Sequence, residues 1–191
     1  MVTVAARRRF SAGGIVTGLL LVAVVATIFV APAHAGKQKG TYAPPYKNGP
    51  QGGDDFNHIY RDADSGMMGV LRTYPGIPPV VGCAPEPSAG WSMFRVEHKV
   101  TRPVSTVVIV FDAMLDPYTW VTGGVRDRRG EWLGVAKLQG PHSGAGRLKV
   151  KLFDRPERGE RVTVEFGLQL GDACPQLGGG TAEFSSVKVG T

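Results

Sequence analysis

The clearest pattern along the chain is an alternation of apolar and polar positions with period two, and it fills the C-terminal half. Leu148, Val150 and Leu152 alternate with Arg147, Lys149 and Lys151. Val162, Val164, Phe166, Leu168 and Leu170 alternate with Arg161, Thr163, Glu165 and Gln169. Such a pattern buries one face of a strand and wets the other, as antiparallel sheets require. Val104 to Phe111 is almost entirely β-branched or aromatic and reads as a central strand. Further strands fit near 92–100, 118–125, 131–138 and 182–189. The connections at 126–130, 139–146 and 154–159 each carry Gly, with Asp or Pro where a turn can use it. About seven short strands at this spacing predict a mainly β fold, an antiparallel β-sandwich of the immunoglobulin-like or jelly-roll-like kind. No helical pattern separates the strands, which excludes parallel βαβ units.

Before residue 91 the pattern changes. Phe56, Ile59, Tyr60 and Ala63 stand at i, i+3, i+4 and i+7, which predicts one short N-terminal helix over 54–66. Asp54 or Asp55 would cap it and Gly66 would end it. Residues 72–90 are rich in Pro and Gly and read as a loop carrying Cys83. Residues 36–53 show no apolar period and read as a flexible Gly/Pro-rich leader.

The first 35 residues form a separate unit. Arg7, Arg8 and Arg9 precede an uncharged apolar run, and Ala33-His34-Ala35 closes it. Positive start, apolar middle and A-x-A end make a secretory signal with cleavage after Ala35. Residues 14–33 approach the length of a membrane span, so an uncleaved anchor is the alternative, and the only membrane attachment expected. Arg7-Arg8-Arg9-Phe10 also fits a twin-arginine pattern, while the strong hydrophobicity suits the general secretion route.

Export changes how charge and cysteine are read. The chain has 22 Lys and Arg against 16 Asp and Glu, a net +6. Three of those charges belong to the signal, which leaves +3 on the mature chain, with one domain spanning 54–191. That excess gives no reason to expect nucleic acid. Two cysteines in an oxidising compartment predict one disulfide, Cys83–Cys174. It would close a loop of about 92 residues, worth roughly 4–5 kcal/mol in the chain-entropy model.

Catalytic motifs are sparse. There is no G-x-S-x-G elbow and no H-E-x-x-H zinc spacing. His58 is expected on the short helix, His98 pointing inward beside Phe94, Val96 and Val100, and His142, next to Ser143, in a solvated hairpin loop. Asp112, Asp116, Glu131 and Glu165 could supply a glycosidase-type pair. No catalytic residue or zinc site is therefore assigned. Asp62-Ala63-Asp64-Ser65-Gly66 begins like a calcium loop, but Thr73 stands where an EF-hand needs Glu. Calcium at Asp62 and Asp64 is the alternative to a plain turn; no other cofactor is expected.

The aromatic residues are more suggestive. Tyr118 and Trp120 share a phase, and Trp132 falls on the strand expected to pair with theirs. These rings either fill the core or form a platform for sugar stacking, with Arg126, Arg128 and Arg129 at its rim. The reading is a secreted or cell-surface, non-enzymatic binding domain of unspecified ligand. A carbohydrate-binding module holding a polysaccharide or cell-surface polymer is its first alternative, and a small secreted hydrolase its second.

Overall fold

The computed structural model describes residues 40–53, 57–73, 90–170 and 177–190. The signal segment, Cys83 and Cys174 lie outside the described residues, as do 54–56 of the expected helix and most of the expected Pro-rich loop. Among the described residues there are eleven strands and no helix. They are β1 (Thr41–Tyr42), β2 (Lys47–Gly52), β3 (Asn57–Asp62), β4 (Met67–Thr73), β5 (Trp91–Lys99), β6 (Thr106–Leu115), β7 (Thr119–Arg126), β8 (Trp132–Gln139), β9 (His142–Lys151), β10 (Arg161–Leu170) and β11 (Leu177–Gly190).

Two antiparallel sheets result. One runs β3-β4-β11-β6-β9, with β1 added along β11. The other runs β2-β5-β10-β7-β8. The alternation read from the sequence sets the faces. Val162, Val164, Phe166, Leu168 and Leu170 of β10 point inward, as do Phe94 and Val96 of β5. They meet Val107, Ile109 and Phe111 of β6 and Phe184 and Val187 of β11. Phe94, Phe111, Phe166 and Phe184 form a chain of ring contacts with centroids 5.2–6.2 Å apart, and Tyr46 adds a fifth ring 5.0 Å from Phe166. Such edge and tilted contacts add to the burial of the rings.

The seven expected strands from residue 91 onward correspond to β5–β11, and Val104–Phe111 does feed a central strand, β6. Three expectations differ. The helix expected over 54–66 is replaced by β3 from Asn57 and by the turn into β4. Ile59 pairs with Val70 and Tyr60 with Gly69. An isolated helix of this length lacks the hydrogen bonds to repay nucleation, whereas the hairpin gains a full ladder against β4. Asp62 anchors its turn: its carboxylate accepts from the Asp64 N–H (3.0 Å) and the Ser65 hydroxyl (2.8 Å). Gly66 adopts φ +78°, where a Cβ would strike the Phe184 carbonyl.

The leader expected to be flexible over 36–53 contains β1 and β2. Its polar edge strand shows no apolar period because β2 is held by backbone pairing to β5, with a register shift around Gly49–Pro50. Tyr42 and Tyr46 are its anchors, Tyr46 being only 6% exposed. Finally, the loop expected over 139–146 shrinks to two residues. β9 begins at His142, and that histidine is half-buried, edge-on to Phe111 at 5.8 Å, with Nε2 3.0 Å from the Gly144 carbonyl.

Candidate functional site

The outer face of the five-stranded sheet gathers the aromatic residues. Inward positions of β7 are Val121, Gly123 and Val125, so Trp120, Thr122, Gly124 and Arg126 face outward. Gln169 of β10 pairs with Trp91 on one side and with Trp120 on the other. Trp120 in turn pairs with Gln139 of β8. One cross-strand row therefore reads Trp91, Gln169, Trp120, Gln139. Its two tryptophans stand two strand spacings apart, about 10 Å between backbones. Trp91 is 36% exposed and Trp120 half-buried. A Cβ on Gly52, opposite Trp91, would lie 2.4 Å from its indole, so the ring lies down over the glycine of the edge strand.

This row differs from the platform expected from sequence. Trp120 is on the outer face. Tyr118 leaves that face: it sits in the turn before β7, its Cβ 3.6 Å from where a Cβ on Gly178 of the other sheet would be. Trp132 shares the outer face but lies six residues along the hairpin, about 20 Å from Trp120 at 3.3 Å per residue. Its ring rests beside Gly124, and the Arg126 guanidinium stacks over it at 3.5 Å from the centroid. Arg126 is itself held by Glu165 (3.1 Å) and by the Gly130 carbonyl (2.7 Å). That ring face is occupied from within the protein. Trp91, the first residue of β5, joins this face by phase, since it alternates with inward Ser92 and Phe94.

The rows beyond it gain charge. Met93, Gly167, Thr122 and Lys137 come next, followed by Lys47, Arg95, Glu165, Gly124 and Val135, then by Glu97, Thr163, Arg126 and Trp132. Arg128 and Arg129 are exposed in the turn at the end of this face.

The candidate acids are spread over both sheets and two turns. Asp112 faces outward from β6 in one sheet and Glu165 faces outward from β10 in the other, on opposite sides of the sandwich. Asp116 accepts from the Tyr118 N–H, the Thr119 hydroxyl and the Gly179 N–H, so its carboxylate is engaged in shaping a turn. Glu131 lies in the β7–β8 turn. Asp112 and Glu165 are thus on opposed faces, and Asp116 is taken up by its own turn.

The Asp62 carboxylate is held below its usual range, chiefly by the Ser65 hydroxyl and then by the Asp64 N–H. Among the described residues no group of three or more His, Cys, Asp or Glu is placed to hold a metal ion. His58 is exposed on β3, and His98 points inward with 7% exposure. A shallow groove of about 720 Å³ lies on the other sheet between Tyr60, Leu71 and Met114. Met114 and Tyr60 are 69% and 60% exposed, and the groove is also lined by His58 and by Asp116, whose carboxylate is engaged in its turn.

No protein-family model matches the chain, and no curated protein matches it. Solved structures resemble it distantly. The enzymatically active domain of bacteriophage CBA120 tailspike protein 4 is 13% identical over 71% of this chain, with a TM-score of 0.39, and the match spans 18% of that protein. Carbohydrate-binding module CBM36, in complex with calcium and xylotriose, is 7% identical over 78% of this chain and 98% of its own, TM-score 0.40. A family 11 carbohydrate-binding module from Clostridium thermocellum, in complex with a mixed-linked tetrasaccharide, is 12% identical over 83% and 92%, TM-score 0.35. Likeness at this level carries no argument about ligand.

Proposed function

We propose that this chain is an exported, non-enzymatic domain that binds polysaccharide on the outer face of its five-stranded sheet. The observation that supports it most is the row Trp91, Gln169, Trp120, Gln139. Sugar rings present apolar C–H faces that stack on indoles and hydroxyl rims that need amide donors and acceptors. A row alternating tryptophan with glutamine offers both, and its direction across the strands suits an extended chain rather than an enclosed small molecule.

Export rests on the signal read in residues 1–35, with cleavage after Ala35 and a Cys83–Cys174 bridge formed outside the cell. Of the two sandwich types expected, the strand orders β4-β11-β6-β9 and β5-β10-β7-β8 favour the jelly-roll arrangement, in which the two sheets exchange consecutive strands.

Affinity electrophoresis through gels containing soluble neutral polysaccharides tests the reading. Retardation by at least one of xylan, β-glucan or galactomannan is expected, and it should disappear in Trp91→Ala/Trp120→Ala. Retardation unchanged in that folded variant, or none with any polymer, overturns it. Mass measurement of exported protein tests the remainder: cleavage after Ala35 and loss of two hydrogens at the bridge.

A further inference from the structure

The turn between β7 and β8 faces the long connection between β9 and β10 across a concavity of about 740 Å³. The two are stapled by the Phe153 N–H, which donates to the Leu133 carbonyl at 2.9 Å. Gly134 permits the approach, since a Cβ there would lie 2.6 Å from the Lys151 carbonyl. The walls carry Arg128 and Arg129 on one side and Arg155, Arg158 and Arg161 on the other, over a floor that includes Leu133 and Pro156.

Four carboxylates line the concavity against its five arginines, a net charge of +1, but among the described residues none of them is ion-paired to an arginine of the lining. The Asp127 carboxylate accepts from the Arg129 and Glu131 backbone N–H groups, both at 2.8 Å, which closes the turn. Glu160 accepts from the Glu157 N–H at 2.9 Å. Asp154 and Glu157 complete the acids of the lining. The only ion pairs among the described residues are Lys47–Glu97 and Arg126–Glu165, both outside the concavity. Arg128, Arg129, Arg155 and Arg158 therefore present planar guanidinium forks that no carboxylate of the described residues engages.

We infer that this cleft binds the oxyanion groups of an acidic polysaccharide, the same polymer whose uncharged stretches lie on the tryptophan row. The inference rests on the proposed function for the identity of the polymer, and on the arginines alone for the anion. Guanidinium pairs bidentately with sulfate, phosphate or carboxylate. Two loops from different strand pairs bring four such groups to one opening. The outer face connects the two regions. Its first row carries no charge, while Lys99 and Arg161 pair at the far end, beside the cleft. The rows between carry Lys137, then Lys47 and Arg95 against Glu165, then Arg126 against Glu97, so a polymer with spaced anionic groups meets no net negative row on the way to the cleft.

The test compares dextran sulfate, polygalacturonate and unsubstituted dextran by titration calorimetry at low ionic strength, using the whole chain after export. The variants are Arg128→Gln/Arg129→Gln/Arg155→Gln/Arg158→Gln and Trp91→Ala/Trp120→Ala, with fold checked by circular dichroism. The arginine variant should bind the anionic polymers about tenfold or more weakly, with a flatter salt dependence, as loss of charge-assisted contacts predicts. Its binding to the neutral polymer that retards the native protein should not change. A preference for dextran sulfate over polygalacturonate assigns sulfate esters, and the reverse assigns uronate carboxylates; either supports the inference. Anionic binding unchanged in the arginine variant overturns it. So does a DNA duplex that displaces dextran sulfate more effectively than its own charge density explains. If the arginine variant loses anion binding while the tryptophan variant keeps all neutral binding, the cleft stands and the tryptophan reading fails.

Discussion

The hydroxyl of Tyr42, on the two-residue strand β1, is hydrogen-bonded to Nδ1 of His98 on β5 at 2.8 Å. The rings meet edge to face, with centroids 6.0 Å apart. This contact ties a strand of one sheet to the inner face of the other, and both groups are neutral there. Burial pushes the imidazole below its ordinary value of 6.5 and the phenol above its ordinary value of 10.

The consequence for stability follows from linkage. A depressed histidine means that the unfolded chain binds more protons than the folded one as pH drops below about 6.5. His98 therefore contributes fully at neutral pH, and its contribution is lost as pH falls through the folded value. Urea midpoints should fall between pH 7.5 and pH 5.5, before carboxylates titrate, and His98→Phe should flatten that fall. A midpoint that holds across this window in the native protein contradicts the assignment. The raised phenols act at the other limb, so stability should also decline above about pH 10, where unfolded tyrosine ionises.

Tyr46 makes a contrasting case. Its ring packs between Phe94 and Phe166, and its hydroxyl is buried with no hydrogen-bond partner among the described residues. An unsatisfied buried hydroxyl costs about 1–3 kcal/mol. Tyr46→Phe keeps the ring and removes that cost, so it should leave stability unchanged or raise it by about 1 kcal/mol. Tyr46→Ala should cost about 3–5 kcal/mol, because a large aromatic leaves a cavity. Chemical denaturation of the two variants checks the pair; Phe and Ala destabilising alike would show that the hydroxyl matters more than the ring.

These two tyrosines also show where the sequence stops being informative. Tyr42 and Tyr46 sit in a stretch of Gly, Pro, Lys and Gln with no apolar period, so nothing local distinguishes anchors from a solvated leader. Their partners, His98 and Phe166, are far away along the chain. The same limit applies to β3. Ile59 and Tyr60 satisfy a helical spacing, and only pairing with Val70 and Gly69 selects the strand. Where one face is buried by a long alternating run, as in β10, phase alone assigned both the strand and its orientation. The candidate site was legible in part for the same reason. Trp120 could be placed on a face by phase, but its neighbour across the sheet is Gln169, and through it Trp91. Cross-strand register is a tertiary property that no window of sequence contains.

The tryptophan row and Trp132 should separate cleanly in experiment. Trp91→Ala and Trp120→Ala each remove a stacking surface from an exposed sheet face. Each should weaken polysaccharide retention about tenfold, since a lost ring–sugar stack is worth on the order of 1–1.5 kcal/mol, with little change in melting temperature. Trp132→Ala should act the other way round. Its indole lies against Gly124 and beneath Arg126, so truncation removes a cation–π contact and uncovers the strand.

A cost of about 1–2 kcal/mol in stability is expected for Trp132→Ala, with retention unchanged. Arg126→Gln, which breaks the ion pair to Glu165 as well, should reproduce that loss. Combining it with Trp132→Ala should cost less than the sum of the two, because both remove the same contact. Full additivity in that double-mutant cycle would mean that the 3.5 Å stack contributes nothing. Loss of sugar retention in Trp132→Ala at unchanged stability would move the binding face to the other end of the hairpin.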